Sequence, residues 1–361
     1  MKVCMISGFV KYSGGVERVV NELSSFLNSY GCKVTVFGRY ARDFVETFEN
    51  YKEIGIKPFD VWPAKLRFAH YEKYSYSLKV WRKIRDERPF DIIHGHGDNC
   101  FFPSLFRGET PLIMTFHGIL KKALASSGPK TIPLICTEKV AALRCNIAVA
   151  CSRAVKNELV TLYGVNPQRI TVIHNGVDIS NFVPEDESRA KRKLKLPLRN
   201  KYALWVGTDP IRKGLPKAMK VVEKIPGFRL IVVGLNGKNT QKVIFLGKIS
   251  ESELISAYNA ADFLLFPTNY EGFPLVPLEA LACGLPIIVS KESNLGEIIE
   301  EGVHGFVVKD NDPMSYREKI MRLLSQDLEE MSFKCRELAV NYSWERQAEK
   351  YWKVYLSMLG K

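Results

Sequence analysis

Two carboxylates eight positions apart, Glu271 and Glu279, stand in the stretch Asn269-Tyr270-Glu271-Gly272-Phe273-Pro274-Leu275-Val276-Pro277-Leu278-Glu279-Ala280-Leu281-Ala282-Cys283-Gly284. The first sits among Gly and Pro, the second in an Ala/Leu run that Gly284 ends. Carboxylates accept hydrogen bonds from hydroxyl groups, so two of them turned to one cleft suit a polyol such as a ribose or hexose. A solvated loop acid beside an ordinary helix glutamate is the competing account. Arg212 and Lys213, in Val206-Gly207-Thr208-Asp209-Pro210-Ile211-Arg212-Lys213-Gly214, bring two cations to another strand-to-helix loop, where a diphosphate needs positive charge. A surface Arg-Lys pair is the alternative. His117 lies just beyond an apolar strand, placed to contact a sugar hydroxyl or phosphate or to act as acid or base, although a lone histidine is more often structural. The Ser13-Gly14-Gly15-Val16 loop opens a helix whose free amides can hold a phosphate, although a plain tight turn also explains it.

Apolar runs must position these residues. Phe263–Phe266 and Ile287–Val289 flank the Glu271 stretch, giving strand, loop, helix, strand, with Pro277 read as the first helical residue. In the first half, Lys2–Ser7 reads as a strand. Val16, Val19, Val20, Leu23, Phe26 and Leu27 then form one apolar helix face, and Lys33–Phe37 is the next strand. Further strands are expected at Asp91–His94, Pro111–Phe116, Asn146–Cys151 and Ile170–His174, with a helix at Arg153–Tyr163. The rhythm restarts after the charged connector Glu185–Asn200. Strands follow at Tyr202–Val206, Arg229–Val233, Val243–Leu246 and Phe306–Val308, with helices at Lys213–Ile225, Glu251–Ala261, Glu297–Glu301 and from Met314 onward. The chain thus reads as α/β with two parallel-sheet domains facing a cleft. The domains span 1–180 and 181–343, and the helical tail 344–361 returns to the first.

At 361 residues the chain exceeds one ordinary core, which also points to two domains. No apolar run approaches the length needed to span a bilayer. The opening residues read as a strand rather than a secretory leader, and eight scattered cysteines fit a reducing cytoplasm. His94-Gly95-His96 lacks an evident third ligand for zinc, and Asp310-Asn311-Asp312 before Pro313 fits a turn and helix cap better than a metal site. No Gly-x-Gly-x-x-Gly or P-loop motif occurs, which withdraws support from hydride transfer and P-loop hydrolysis. The formal charge is +13, with 25 Lys/Arg against 16 Asp/Glu in residues 1–180 and 27 against 23 in the rest. Basic and aromatic residues alternate from Trp62 to Arg88. That surface would attract an anionic partner, whether the headgroups of an anionic membrane, a phosphorylated substrate or nucleic acid, but a solvated helix with its aromatics turned inward explains it equally. Nucleic acid is not expected, because no recognisable module for it is present.

In this order the segments resemble the retaining glycosyltransferases of family 4, which have the two-domain GT-B fold. The resemblance covers nearly the whole chain: Gly14-Gly15, Phe116-His117-Gly118, Ser152-Arg153, Asn175-Gly176-Val177-Asp178, Lys213-Gly214, Glu271 through Pro286, and Gly305-Phe306. It implies transfer of a hexose-type sugar, with retention, from a UDP- or GDP-sugar to a hydroxyl of a sugar, glycan or lipid-linked acceptor. No bound metal or other cofactor is implied, the nucleotide-diphospho-sugar being a co-substrate. By the same resemblance Glu279 binds the ribose and Glu271 the donor sugar, with the backbone of Gly272, Phe273, Pro274 and Leu275 nearby. Lys213 neutralises the diphosphate, Gly15 approaches the donor phosphate or acceptor, and His117 contacts the transferred sugar. Lys213, Glu271 and His117 are therefore the expected catalytic set. Two positions depart from the family: Thr208 stands where arginine is usual, with Arg212 as its substitute, and Pro274 where glycine is commoner. A non-catalytic nucleotide-sugar-binding protein of the same fold is the second reading. The expected location is the cytoplasm, peripheral at the inner face of the membrane.

Overall fold

The computed structural model describes residues 1–10, 14–48, 51–58, 69–87, 89–125 and 127–360. They divide into two compact units, Met1–Asn175 with Trp344–Lys361, and Gly176–Ser343.

In the first unit the chain runs β1 (Lys2–Phe9), α1 (Gly15–Ser29), β2 (Lys33–Arg39), β3 (Phe44–Thr47), β4 (Lys52–Ile56), α2 (Ala69–Asp86), β5 (Ile92–His96), α3 (Phe101–Phe106), β6 (Leu112–Phe116), α4 (Leu120–Ala123), α5 (Ile132–Arg144), β7 (Ile147–Ala150), α6 (Arg153–Glu158) and β8 (Ile170–Val172). Its sheet order is β3-β4-β2-β1-β5-β6-β7-β8. All pairs are parallel except β3 with β4, so the wholly parallel sheet expected here gains one antiparallel edge strand. Four residues between β3 and β4 make a hairpin return sufficient, whereas a parallel neighbour needs a crossover of a dozen residues or more. Val19, Val20, Leu23 and Leu27 of α1 are buried as their spacing requires, and the helix stops at Tyr30 with Gly31 in the left-handed region. Helix α6 continues as a π turn through Tyr163, ending at left-handed Gly164.

The second unit runs α7 (Glu187–Lys193), β9 (Lys201–Val206), α8 (Leu215–Glu223), β10 (Phe228–Val233), β11 (Val243–Gly247), α9 (Glu251–Ala260), β12 (Phe263–Phe266), α10 (Leu275–Ala282), β13 (Ile287–Ser290), β14 (Gly305–Val308), α11 (Pro313–Leu324) and α12 (Leu328–Val340). The sheet is parallel, in the order β11-β10-β9-β12-β13-β14. Its strands are near-continuous apolar runs because helices cover both faces. The last helix, α13 (Trp344–Met358), belongs to the first unit, where Ala348, Tyr351 and Tyr355 join the core formed by Val3, Met5, Val20 and Ile113.

Four local expectations need correction. The units divide at Asn175, not at 180, because Val177 N–H donates to Tyr342 O (2.9 Å) and Arg336 donates to Ile179 O (2.7 Å), tying this segment to the second unit. Helix α8 begins at Leu215 rather than Lys213, since Gly214 adopts φ 71°. Pro277 is the third residue of α10, not the first; its missing N–H still costs nothing, since the first-turn amides lack intrahelical partners. No helix spans Glu297–Glu301: a 3-10 turn covers Leu295–Glu297, and Glu301 bridges to Gly305.

Candidate functional site

Ligands of open parallel sheets bind at the carboxyl ends of strands where the strand order reverses. In the second unit that point lies between β9 and β12, whose chain neighbours depart to opposite sides. The loop leaving β9 carries Thr208, Arg212 and Lys213; the loop leaving β12 carries Glu271. The two are fastened together. Asn269 donates from its backbone N–H to Arg212 O (2.8 Å) and from its amide to Ile211 O (2.8 Å), while Thr268 Oγ1 donates to Arg212 O (3.0 Å). Gly214 makes this approach possible: a Cβ there would lie 2.0 Å from Pro267 O, at a positive φ that side chains disfavour.

Arg212 Nη1 forms an ion pair with Glu271 Oε1 at 2.6 Å, and Arg212 Nε reaches Asp209 Oδ2 at 3.3 Å. Lys213 lies against the strand ends. Its stem passes over Gly207, where a Cβ would stand 2.5 Å from Lys213 Cδ, and its Nζ lies 5.6 Å from the Phe266 ring centroid. Among the described residues Lys213 makes no ion pair. Burial lowers its pKa, the nearby Arg212 charge adds to that, and Glu271 and Glu279 pull it back up. One lysine thus stands within electrostatic reach of both carboxylates that the sequence singles out. Thr208 is exposed at the end of β9.

Glu279 is buried in the second turn of α10, where its Oε2 accepts a hydrogen bond from Tyr258 Oη on α9 (2.6 Å). Gly272, Phe273 and Pro274 are buried ahead of that helix, and Leu275 is half-buried as its first residue. No side chain caps this N-terminus, so its leading amides and the positive dipole end are available to an anion. The Glu271 backbone is held on both sides, its N–H donating to Glu292 O (2.9 Å) and its carbonyl accepting from Asn294 Nδ2 (2.7 Å). Asn311 Nδ2 and Ser290 Oγ both donate to Thr268 O. Sequence reasoning missed Asp209, Tyr258, Asn294 and Asn311 as supports. Asn294 and Asn311 both have positive φ, and asparagine tolerates that conformation best after glycine, which is the signal that could have found them.

In the first unit, Gly15 is the exposed first residue of α1. Gly14 precedes it as N-cap without a side-chain cap, and a Cβ on Gly15 would meet nothing within 4 Å. The amides at this end of a 15-residue helix are therefore approachable. His117 follows β6, half-buried, with Nε2 3.0 Å from His96 Nδ1 and the two rings stacked at 5.3 Å. Burial lowers the His117 pKa to about 4, so near neutrality it is an uncharged imidazole, a hydrogen-bonding group rather than a cation. His94 has both ring nitrogens engaged, Nδ1 with Tyr355 Oη (2.6 Å) and Nε2 with Thr115 Oγ1 (2.7 Å). Asp312 caps α11 by accepting from Met314 N–H (2.8 Å), which accounts for the Asp-Asn-Asp run.

Of the basic segment 62–88, residues 62–68 and Arg88 lie outside the described residues. Helix α2 turns Tyr76, Val80 and Ile84 inward, and Tyr76 Oη is bound to Ser7 O and Phe37 O. Arg82, Lys83 and Arg85 are exposed. Among the described residues no helix is long and apolar enough to cross a membrane.

Two family models match the chain, "Glycosyltransferase Family 4" over residues 13–181 and "Glycosyl transferases group 1" over 186–341. Among curated proteins it is similar to the D-inositol 3-phosphate glycosyltransferase of Acidothermus cellulolyticus, 27% identical over 97% of this chain and 87% of the relative. The protein of that name from Xylanimonas cellulosilytica is also 27% identical, over 95% and 91%. Among solved structures, sucrose-phosphate synthase of Thermosynechococcus elongatus superposes with TM-score 0.85 at 21% identity, covering 99% of each chain. Anabaena HepE in complex with UDP-glucose gives 0.75 at 17%, covering 99% of this chain and 100% of its own. Matched by a family model in each of its two α/β units, the chain belongs to glycosyltransferase family 4 and has the GT-B fold.

Proposed function

We propose that the protein transfers a hexose-type sugar, with retention and without a metal ion, from a UDP- or GDP-sugar to a hydroxyl of a sugar, glycan or lipid-linked acceptor. The observation that carries this reading is the convergence of Lys213, Glu271 and Glu279 at the switch point of the second sheet. Departure of the nucleotide diphosphate builds negative charge, which Lys213 and the open amides of α10 are placed to stabilise. Glu279, set back in the helix, takes the ribose hydroxyls; Glu271, steadied by Arg212, takes those of the sugar. Arg212 steadies Glu271 and, beside Lys213, is also the substitute proposed for the arginine that Thr208 replaces. His117 and the start of α1 supply neutral donors for the sugar and for phosphate or acceptor. With no carboxylate assigned as covalent nucleophile, the preferred path is front-face, the leaving phosphate helping to deprotonate the acceptor.

Purified protein is to be incubated with UDP-, GDP- and ADP-sugars and a panel of acceptors that includes inositol phosphates, glycans and lipid-linked sugars, with product configuration read by NMR. Retained configuration, with turnover unaffected by chelator, supports the proposal. Nucleotide-sugar binding without turnover or hydrolysis would favour a non-catalytic binder. The exposed Arg82, Lys83 and Arg85 favour work at an anionic membrane surface. Equal sedimentation with anionic and neutral liposomes would remove that part.

A further inference from the structure

His96 is fully buried at the end of β5, on the sheet face covered by α1 and α13. Its Nδ1 meets His117 Nε2, whereas its Nε2 has no hydrogen-bond partner among the described residues. A buried polar atom left so is costly and asks for an explanation. Two proton arrangements fit the 3.0 Å contact. If His117 donates from Nε2, His96 must carry its own proton on Nε2, and a buried N–H is stranded. If His96 donates from Nδ1, its Nε2 is a bare lone pair instead, the milder defect, since orphaned buried N–H groups are the rarer kind. The second arrangement puts the His117 proton on Nδ1, the nitrogen with no partner among the described residues.

We propose that His96 is a positioning residue for His117: it donates from Nδ1 to His117 Nε2, locking the neutral ring in the tautomer that offers Nδ1–H to the substrate. The inference rests on reading His117 as substrate-facing. His96 is itself gripped. Its ring lies 4.3 Å from that of His94, whose two nitrogens are held by Tyr355 and Thr115, and its carbonyl accepts from Asn99 Nδ2 (3.3 Å). A ring so constrained can transmit direction, and a hydrogen-bond donor aimed at a sugar oxygen loses effect quickly when it is misaimed.

Long-range proton–nitrogen correlation spectra of the uniformly labelled protein test this without any assumed substrate. With six histidines in the chain, the His117 signals are assignable by comparison with His117→Ala. The expected result is His117 protonated at Nδ1 in the wild type. His96→Asn, whose amide nitrogen takes the place of the imidazole Nδ1, keeps that pattern and most of kcat. His96→Leu gives mixed tautomers and a kcat lower by about 10- to 100-fold with a smaller change in donor KM. A wild-type His117 protonated at Nε2 overturns the proposal, with no variant needed. Unaltered tautomer and kcat in a folded His96→Leu also overturn it, provided His117→Ala has lost activity. Unimpaired transfer by His117→Ala would instead bring down the reading of His117 on which the proposal rests.

Discussion

Arg212 and Glu271, 59 positions apart in the chain, meet in an ion pair at 2.6 Å. The contact joins the two loops at the switch point and gives the carboxylate a fixed direction. Arg212 should therefore act through Glu271. Arg212→Ala is expected to lower kcat/KM by about 10-fold and Glu271→Ala by more, with the double variant little worse than Glu271→Ala. Purely additive losses in that cycle would show that the two residues work independently.

Lys213 is held where burial disfavours its charge. Lys213→Met should lower kcat by about 100- to 1000-fold, as expected when a donor to the developing anion is lost. The unliganded variant should also melt at a higher temperature, because a strained cation gives way to an apolar chain of similar length. A lower melting temperature would mean that burial of the Lys213 charge does not cost the fold stability.

Glu279→Gln should weaken UDP or GDP binding by about 10-fold while leaving the fold intact, since the amide oxygen still accepts from Tyr258. Glu279→Ala removes that acceptor from a buried hydroxyl, and an added stability loss of about 1–3 kcal/mol is expected. Calorimetry of nucleotide binding and denaturant melts separate the two effects. Unchanged nucleotide affinity in both variants would exclude Glu279 from the ribose site.

Glu138 of α5 offers a pH test within the first unit. Burial raises its pKa to about 8, although it accepts hydrogen bonds from Tyr163 Oη and from Leu120 N–H (2.8 Å), just beyond His117. The folded state thus keeps a proton that the unfolded chain releases near 4.5. This group's contribution is full below that value and is lost as pH rises toward 8. Glu138→Gln should be insensitive in that window, so the stability of wild type relative to the variant should fall between pH 5 and 8, by at most about 1.4 kcal/mol per pH unit. A flat difference would mean Glu138 is ionised in the fold.

The order of strands and helices around the site was legible because buried parallel strands are unbroken apolar runs and glycine marks where helices stop. Glu271, Glu279 and Lys213 could be picked out for the same reason: each stands next to such a boundary. Short elements were less visible. The β3–β4 pair and α5 carry no clean periodicity, because α5 meets Pro133 in its first turn and buries Thr137 and Glu138 beside Ala141. The pairing of Arg212 with Glu271 depends on two loops brought together by β9 and β12, which are neighbours in the sheet but distant in the chain. No local pattern encodes that meeting, and the partnership of His96 with His117 across β5 and β6 was hidden likewise.

Helix α13 follows the second unit in the chain yet completes the core of the first. During synthesis the second unit is contiguous and complete once Ser343 has emerged, while the first must wait with its α1 face uncovered until Tyr351 and Tyr355 arrive. The unit begun first is therefore finished last. A chain interrupted inside α13 before Tyr355 would hold the whole sheet of the second unit, yet its His94 would lack the tyrosine that holds it.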